Sequence, residues 1–466
     1  MTQAPAGGPG GSAPAAQTEE LERAITGRML FFYVLGDVLG SGIYALIGVM
    51  AFEVGGAFWM AFLVGVSVAL LTGFAYAELI TKYPQAAGAA LYVHKAFGNR
   101  LFTFVVTFCL LAATIAAAGA LAQVFAGDYF KGVFGLEYGD GVIALIAIGF
   151  VVALSALNFR GISESVITNM VMTVIETTGL IIILVIGAMV LGSGDANLSQ
   201  PFELNDGNPA LVVLGGAAVA FFAMTGFENA ANVAEEVQNP SKVYPKALLG
   251  GMTLAGVLYL AIAFIASMVT PIETLQENGG ADGNLLDVVN AGPLPVPAVV
   301  FSAIALVAVT NTALVTMVAQ SRIMYGMARQ GVVPRLFART HATRRTPWIA
   351  IVFTAACVVL LLLTADVNTL ANVTVLFLIT VYGMVCLSAL VLRKSSVGHE
   401  HYTAPTALLV TGVVANAGLL VYTAATDPTS ITYCSVMLAI GVALYFVNNL
   451  FTKGDPPPID AEALEV

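Results

Sequence analysis

Four stretches of this chain place ionisable or hydrogen-bonding side chains inside long apolar runs. The first is residues 30–52, LFFYVLGDVLGSGIYALIGVMAF, where Asp37 and Ser41 sit among Gly36, Gly40 and Gly42. Each glycine costs a helix roughly 1 kcal/mol against alanine, and an aspartate at bilayer depth costs about 3 kcal/mol or more. A plain lipid-facing helix carries neither, so the pattern predicts a membrane helix broken at its middle. The backbone groups freed by a break need partners in protein or ligand. The second half-helix, starting near Ile43, aims N–H groups and a partial positive charge at the gap, which suits a carboxylate. The first half, ending near Asp37 and Val38, offers carbonyls to an ammonium, a proton site or Na⁺. Together they make a receptor for a zwitterion. Gly36 and Gly40 also fit a small-residue helix-packing face; Asp37 favours the binding reading.

The second stretch, ALVVLGGAAVAFFAMTGFENAANVAEEV, is interrupted in the same way by Gly215, Gly216 and Gly226, with Thr225 and Glu228 at depth. The third carries Asn169, Thr173, Glu176 and Thr177, spaced to share one helical face. Glu176 lies well inside its span, and an ionisable group there is a functional candidate by default. The fourth is Thr310, Asn311 and Thr312, suited equally to hydrogen bonding between helices. The histidines (His94, His341, His399, His401) fall in or at the edges of loops, and neither GxxxxGK[ST] nor HExxH occurs. The chemistry of an ATP-driven pump or an intramembrane metalloenzyme is missing, and no cofactor is expected. Cys109, Cys357, Cys386 and Cys434 lie in apolar runs without metal-type spacing and read as small core residues.

The elements that must hold these residues are membrane helices. The chain is 58% hydrophobic and 10% charged, against about 25% charged in soluble domains. Its net charge of −10 argues against a nucleic-acid partner. Hydropathy gives twelve spans: 30–52, 57–79, 101–125, 141–158, 166–192, 209–231, 247–270, 296–327, 348–364, 369–392, 406–425 and 430–451. Every Lys and Arg except Lys131 falls on one side of that arrangement. The opposite loops carry acids such as Asp195, Glu203, Glu273 and Asp282. Positive charge stays inside, which predicts a multi-pass protein of the cytoplasmic membrane with both termini cytoplasmic. The broken spans 1 and 6 enter from opposite sides, five spans apart. Interrupted helices at matching positions of inverted halves point to a transporter's central site. Residues 1–18, rich in Ala, Gly and Pro, read as a disordered tail, and 19–27 as a short interfacial helix.

Four motifs, in order and correctly spaced, then carry a resemblance. GDVLGSGIY, AYAELITKYPQAAGAALYVHKAFG, FFAMTGFENAANVAEEVQNPSKVYPKAL and RIMYGMARQGVVP resemble the amino acid–polyamine–organocation (APC) superfamily of permeases, over about residues 28–395. The resemblance implies an all-α integral membrane fold: twelve transmembrane helices, a 5+5 inverted repeat with broken helices 1 and 6, plus two C-terminal helices. The corresponding division is a cytoplasmic tail over 1–27, a transport core over 28–395, two further helices over 396–452 and a second tail over 453–466. It also implies alternating access, with a proton or by exchange. On this chain the family's substrate-carboxylate turn falls on Gly40, Ser41 and Gly42, followed by Ile43. Its aromatic gate falls on Phe222, its ammonium-binding backbone on Ala223, Met224 and Thr225, and its Gly-Phe-Glu element on Gly226 and Glu228. Two positions depart from the pattern: Asp37 replaces a small or amide residue, and Glu176 stands near a lysine of some relatives.

The function expected is secondary transport of amino acids, with H⁺ or Na⁺ as coupling ion. Asp37 and Glu176 are the candidates to carry it, and Thr310, Asn311 and Thr312 accompany them. Three acids near the site keep basic amino acids and polyamines open as substrates. A transport-dead sensor or a channel is the alternative from another class. Oligomeric state is not legible.

Overall fold

The computed structural model describes residues 25–40, 42–84, 88–136, 139–160, 166–277, 284–329, 331, 333–344 and 346–451. The helices in chain order are α1 (Gly27–Leu39), α2 (Gly42–Val54), α3 (Trp59–Lys82), α4 (Gly88–Phe97) and α5 (Arg100–Val124). A π-type turn (Phe125–Tyr129) leads to α6 (Phe130–Phe134), α7 (Asp140–Phe159), α8 (Val166–Ser193) and α9 (Pro209–Ala223). A 3₁₀ segment (Phe227–Glu236) precedes α10 (Pro240–Val269), α11 (Ile272–Leu275), α12 (Leu285–Ala291) and α13 (Ala298–Arg329). The last four are α14 (Trp348–Leu362), α15 (Val367–Leu392), α16 (Thr406–Thr426) and α17 (Pro428–Phe451). The described residues contain no named strand; Ile25 and Val237 form one isolated bridge.

Short polar side chains start these helices where the sequence provides them. Asn99, Asn208 and Asp366 accept backbone N–H groups of the first turns of α5, α9 and α15 at 3.0, 3.0 and 2.9 Å. Such caps satisfy donors that an α-helix leaves open. The expected residues 1–18 and most of 19–27 lie outside the described residues.

Eleven helical stretches among the described residues are long and apolar enough to cross a membrane. The expected span over 348–364 is α14, a 15-residue apolar helix. At 1.5 Å per residue it covers only about 22 Å, short of a hydrocarbon core of about 30 Å. Its residues are apolar enough, but the helix gives way to turns at Leu363. On α17, Val436, Ile440, Phe446 and Val447 all face outward, as expected of a surface against lipid. The site is positioned by the close packing of α1 on α10 and α8, of α3 on α9 and α10, of α2 on α9, and of α13 on α5 and α8.

Candidate functional site between two interrupted helices

Helix α1 ends at Leu39 and α2 begins at Gly42; α9 ends at Ala223 and the 3₁₀ segment begins at Phe227. The two interruptions lie against each other, backbone to backbone. A Cβ on Gly42 would stand 2.4 Å from Ala223 Cα, and one on Gly226 would stand 2.5 Å from the Asp37 carbonyl oxygen. A Cβ on Gly40 would meet Thr312 Oγ1 of α13 at 2.4 Å. Glycine is needed at the two backbone contacts, Gly42 and Gly226, and at Gly226 also for its φ of +113°. Ile43 is fully buried in the first turn of α2. Ser41 lies outside the described residues.

The carbonyls released by the interruption of α1 are partly taken by protein. Gly36 O still accepts Gly40 N at 3.2 Å, and Val38 O accepts the Tyr259 hydroxyl of α10 at 2.5 Å. The expectation that carbonyls near Asp37 and Val38 wait for a ligand is thus narrowed: Val38 already has a partner. On the other interruption, Phe222 O accepts both Thr225 N at 3.1 Å and Thr225 Oγ1 at 2.8 Å. Met224 N bonds back to Phe221 O at 3.0 Å. Ala223, Met224 and Thr225 therefore form a tight turn leading into Gly226. Phe222, the expected gate, is 6% exposed.

A second polar centre sits beside the first. Glu176 of α8 is fully buried, and its Oε1 accepts Asn311 Nδ2 of α13 at 3.1 Å. Thr173, one turn earlier, is buried on the same side; the side chain of Asn169 lies outside the described part. Thr312 bonds back to Ala308 O at 3.2 Å and faces Gly40. The structure brings Glu176, Asn311 and Thr312 to this region, whereas Thr310 is half-buried and joins none of these contacts. Tyr44 of α2 donates to the Glu176 carbonyl at 2.6 Å, and Tyr129 of the π-type turn donates to the Tyr44 carbonyl at 2.6 Å. The turn bends at Gly127, whose ψ of −141° leaves the helical range; single π-turns of this kind concentrate at functional sites. Tyr44, Tyr129 and Tyr259 are the site residues that sequence reasoning missed. Each sits in an apolar run like any core aromatic, and only the need of a buried carbonyl for a donor could have flagged them.

Glu228 turns inward on its own backbone, its Oε2 accepting Gly226 N at 2.9 Å. The family's acidic position thus secures the interruption locally. Asp37 is half-buried at the end of α1, its carbonyl against Gly226. Behind Glu228, Tyr382 of α15 packs edge-on against Tyr76 and at a tilt against Phe221 and Phe227, at ring separations of 5.2–6.0 Å. A cavity of about 420 Å³ lies elsewhere, lined by Glu78, Lys82, Arg393 and the segment after α15. There Glu78 accepts Arg393 Nη2 at 3.0 Å and Ala404 N at 2.8 Å. Arg393 also donates to the Ala404 carbonyl and the Thr406 hydroxyl, and Lys82 Nζ to Leu392 O at 2.7 Å. Its charged groups are bonded to one another and to helix ends, so it reads as a strut joining α3, α15 and α16.

The amino acid permease family matches residues 25–447, a range that includes both interruptions. The chain belongs to that family. This permease is 28% identical over 327 residues to the cationic amino acid transporter 9, chloroplastic, of Arabidopsis thaliana, covering 66% of the chain and 56% of that relative. It is 23% identical over 391 residues to the branched-chain amino acid permease BcaP of Bacillus subtilis, covering 81% and 82%. With the methylthioribose transporter of the same organism it shares 24% over 455 residues, covering 93% and 94%. The match thus spans little more than half of the chloroplast relative and most of both bacterial ones. The permease is an all-helical, multi-pass membrane protein of a transporter family, and the names of its relatives are those of transporters rather than enzymes.

Proposed function

We propose that this permease is a secondary transporter of amino acids, working by alternating access around the paired interruptions. The observation that carries the reading is the contact of Gly42 with Ala223 and of Gly226 with the Asp37 carbonyl. Two backbones stripped of regular hydrogen bonding and pressed together at depth make a site for a group with both charges. The substrate α-carboxylate binds the N–H groups of Ser41, Gly42 and Ile43 at the start of α2, helped by the helix dipole. Its ammonium binds Asp37 and the carbonyls of the turn Ala223–Met224–Thr225, with Phe222 closing over it. The fold in this reading is the twelve-span, 5+5 inverted repeat, with α1–α2 and α9 with its 3₁₀ extension as the two broken helices and α16 and α17 outside the repeat. Both termini are cytoplasmic, on the side of the basic loops.

Coupling is assigned to Glu176 with Asn311. A buried ionised carboxylate is costly unless hydrogen-bonded, and an amide can serve either state. Its Nδ2 donates to the carboxylate, and turned over, its Oδ1 accepts from the protonated acid. Glu176 can thus hold or release a proton without losing its partner. The test is uptake of radiolabelled amino acids into proteoliposomes, after a thermal-shift screen of neutral, basic and acidic amino acids, putrescine and methylthioribose. A ligand of the folded state raises apparent stability by mass action. Stabilisation by one class of α-amino acid, absent in Gly42→Val, supports the reading. Stabilisation by methylthioribose or putrescine alone removes the carboxylate from it.

A further inference from the structure

The last turns of α13 and the segment that joins it to α14 carry an unusual concentration of charge. Arg322, Arg329, Arg335, Arg339 and Arg344 are all exposed. Among the described residues none of the five pairs with a carboxylate; the ion pair present joins Arg393 to Glu78. Arg329 lies over the ring of Tyr325 and Arg344 over that of Phe159, contacts that hold a guanidinium without neutralising it. Leu336, between Arg335 and Arg339, is 48% exposed.

The end of α17 is fastened to this segment. Asn448 Nδ2 donates to Gly331 O at 2.6 Å, and Asn448 is 8% exposed. Helix α17 ends three residues later at Phe451, and the chain continues as TKGDPPPIDAEALEV, residues 452–466, outside the described part. That stretch carries Asp455, Asp460, Glu462 and Glu465 against the single cation Lys453. Fifteen residues reach up to about 50 Å when extended, ample to cross the arginine surface from Phe451. Because the stretch starts at that surface, its effective concentration there is of millimolar order.

We infer that the acidic stretch 452–466 docks on the arginine surface between α13 and α14, its carboxylates facing Arg335, Arg339 and their neighbours. Charge complementarity and the starting point set by Asn448 favour this occupant over a lipid surface, which supplies the first but not the second. The contact ties the last membrane helix to the loop that follows α13, the helix carrying Asn311 and Thr312.

The experiment is zero-length carbodiimide cross-linking of the purified full chain carrying R335K and R339K, which keep the charge and supply reactive amines. Cross-linked peptides are identified by mass spectrometry from the monomer band. The expected result is a bond from position 335 or 339 to Asp460, Glu462 or Glu465, falling at least fivefold between 50 and 500 mM NaCl. It should also be absent when those three acids are replaced by Asn and Gln. The bond should persist in nanodiscs of phosphatidylcholine and in nanodiscs one-third phosphatidylglycerol. Absence of any such bond in the monomer overturns the inference, as does a bond insensitive to salt. Loss of the bond only with phosphatidylglycerol assigns the surface to anionic lipid and overturns it too. A bond confined to a dimer band assigns the occupant to a second copy, with the same consequence.

Discussion

Gly226→Ala isolates the contact between the two interruptions. The new Cβ would stand 2.5 Å from the Asp37 carbonyl oxygen and 3.0 Å from its carbon, both backbone atoms that cannot swing aside. The residue must also keep φ near +113°. With ψ −32° the backbone lies outside the left-handed helical well, so an L-residue there bears at least the ~1–2 kcal/mol of that well; overpacking a tight contact adds about 1–3 kcal/mol, so the sum is at least about 2–5 kcal/mol. Gly98→Ala is the control. Gly98 has φ +62° and nothing within 4 Å of its would-be Cβ, so it bears a positive-φ cost without a clash. Both variants should be reconstituted, and uptake and the thermal midpoint measured side by side. Gly98→Ala is expected to lower the midpoint slightly and transport normally. Gly226→Ala is expected to lower it further and to lose most uptake, because strain is relieved by pushing the interruptions apart. If Gly226→Ala matches Gly98→Ala in both readouts, the contact is not what makes the site.

Glu176→Gln keeps a hydrogen bond to Asn311 while removing the proton, so the protein should fold and its uptake should lose pH dependence; equal pH dependence in the variant rules out Glu176 as the coupling group. Tyr259→Phe leaves the Val38 carbonyl buried without its donor, a loss of about 1–3 kcal/mol that should lower the thermal midpoint more than Tyr422→Phe, whose partner Leu211 O lies in an exposed setting. Glu78→Gln removes the charge from a pair in which Arg393 is partly exposed and keeps its other partners, with an expected loss of about 1–3 kcal/mol for a charge-assisted hydrogen bond; Glu78→Gln with Arg393→Met should recover part of it in the same melt, and no recovery would deny the pair its role as a strut.

The course of the chain was readable because membrane helices announce themselves by length and hydropathy. The stretches 101–125 and 369–392 fall on α5 and α15 within two residues. The limit shows at α14. Hydropathy counts apolar residues out to 364, but the helix stops at Leu362, and where hydrogen bonding ends is not a matter of composition. The ends of α1 and α9 fall in stretches where glycines cluster with an acid, a costly composition for a membrane helix. Which groups meet across the gap was not readable. Asn311 and Glu176 are 135 residues apart, and nothing local in either marks the other. The buried tyrosines were hidden more thoroughly, since a hydroxyl bonding a distant carbonyl leaves no periodicity at all.

These contacts bear on the substrate. Counted from the sequence, Asp37, Glu176 and Glu228 make a strongly anionic site that would draw a polyamine. In the structure Glu228 accepts the Gly226 N–H two residues back, so its charge is held at the turn. Glu176 Oε1 accepts Asn311 Nδ2, and the Tyr44 hydroxyl donates to the Glu176 carbonyl and lies against Gly179. Two of the three acids thus face donors of the protein itself, which reduces the negative charge left for a polyamine. The proposed site sets the start of α2 against carbonyls of the interruptions, which suits an α-amino acid, whose ammonium and carboxylate share one carbon. A diamine would set its second ammonium against the start of α2, where the dipole repels it. On this geometry putrescine is expected to bind far more weakly than an α-amino acid, however acidic the stretch looks when its residues are merely counted.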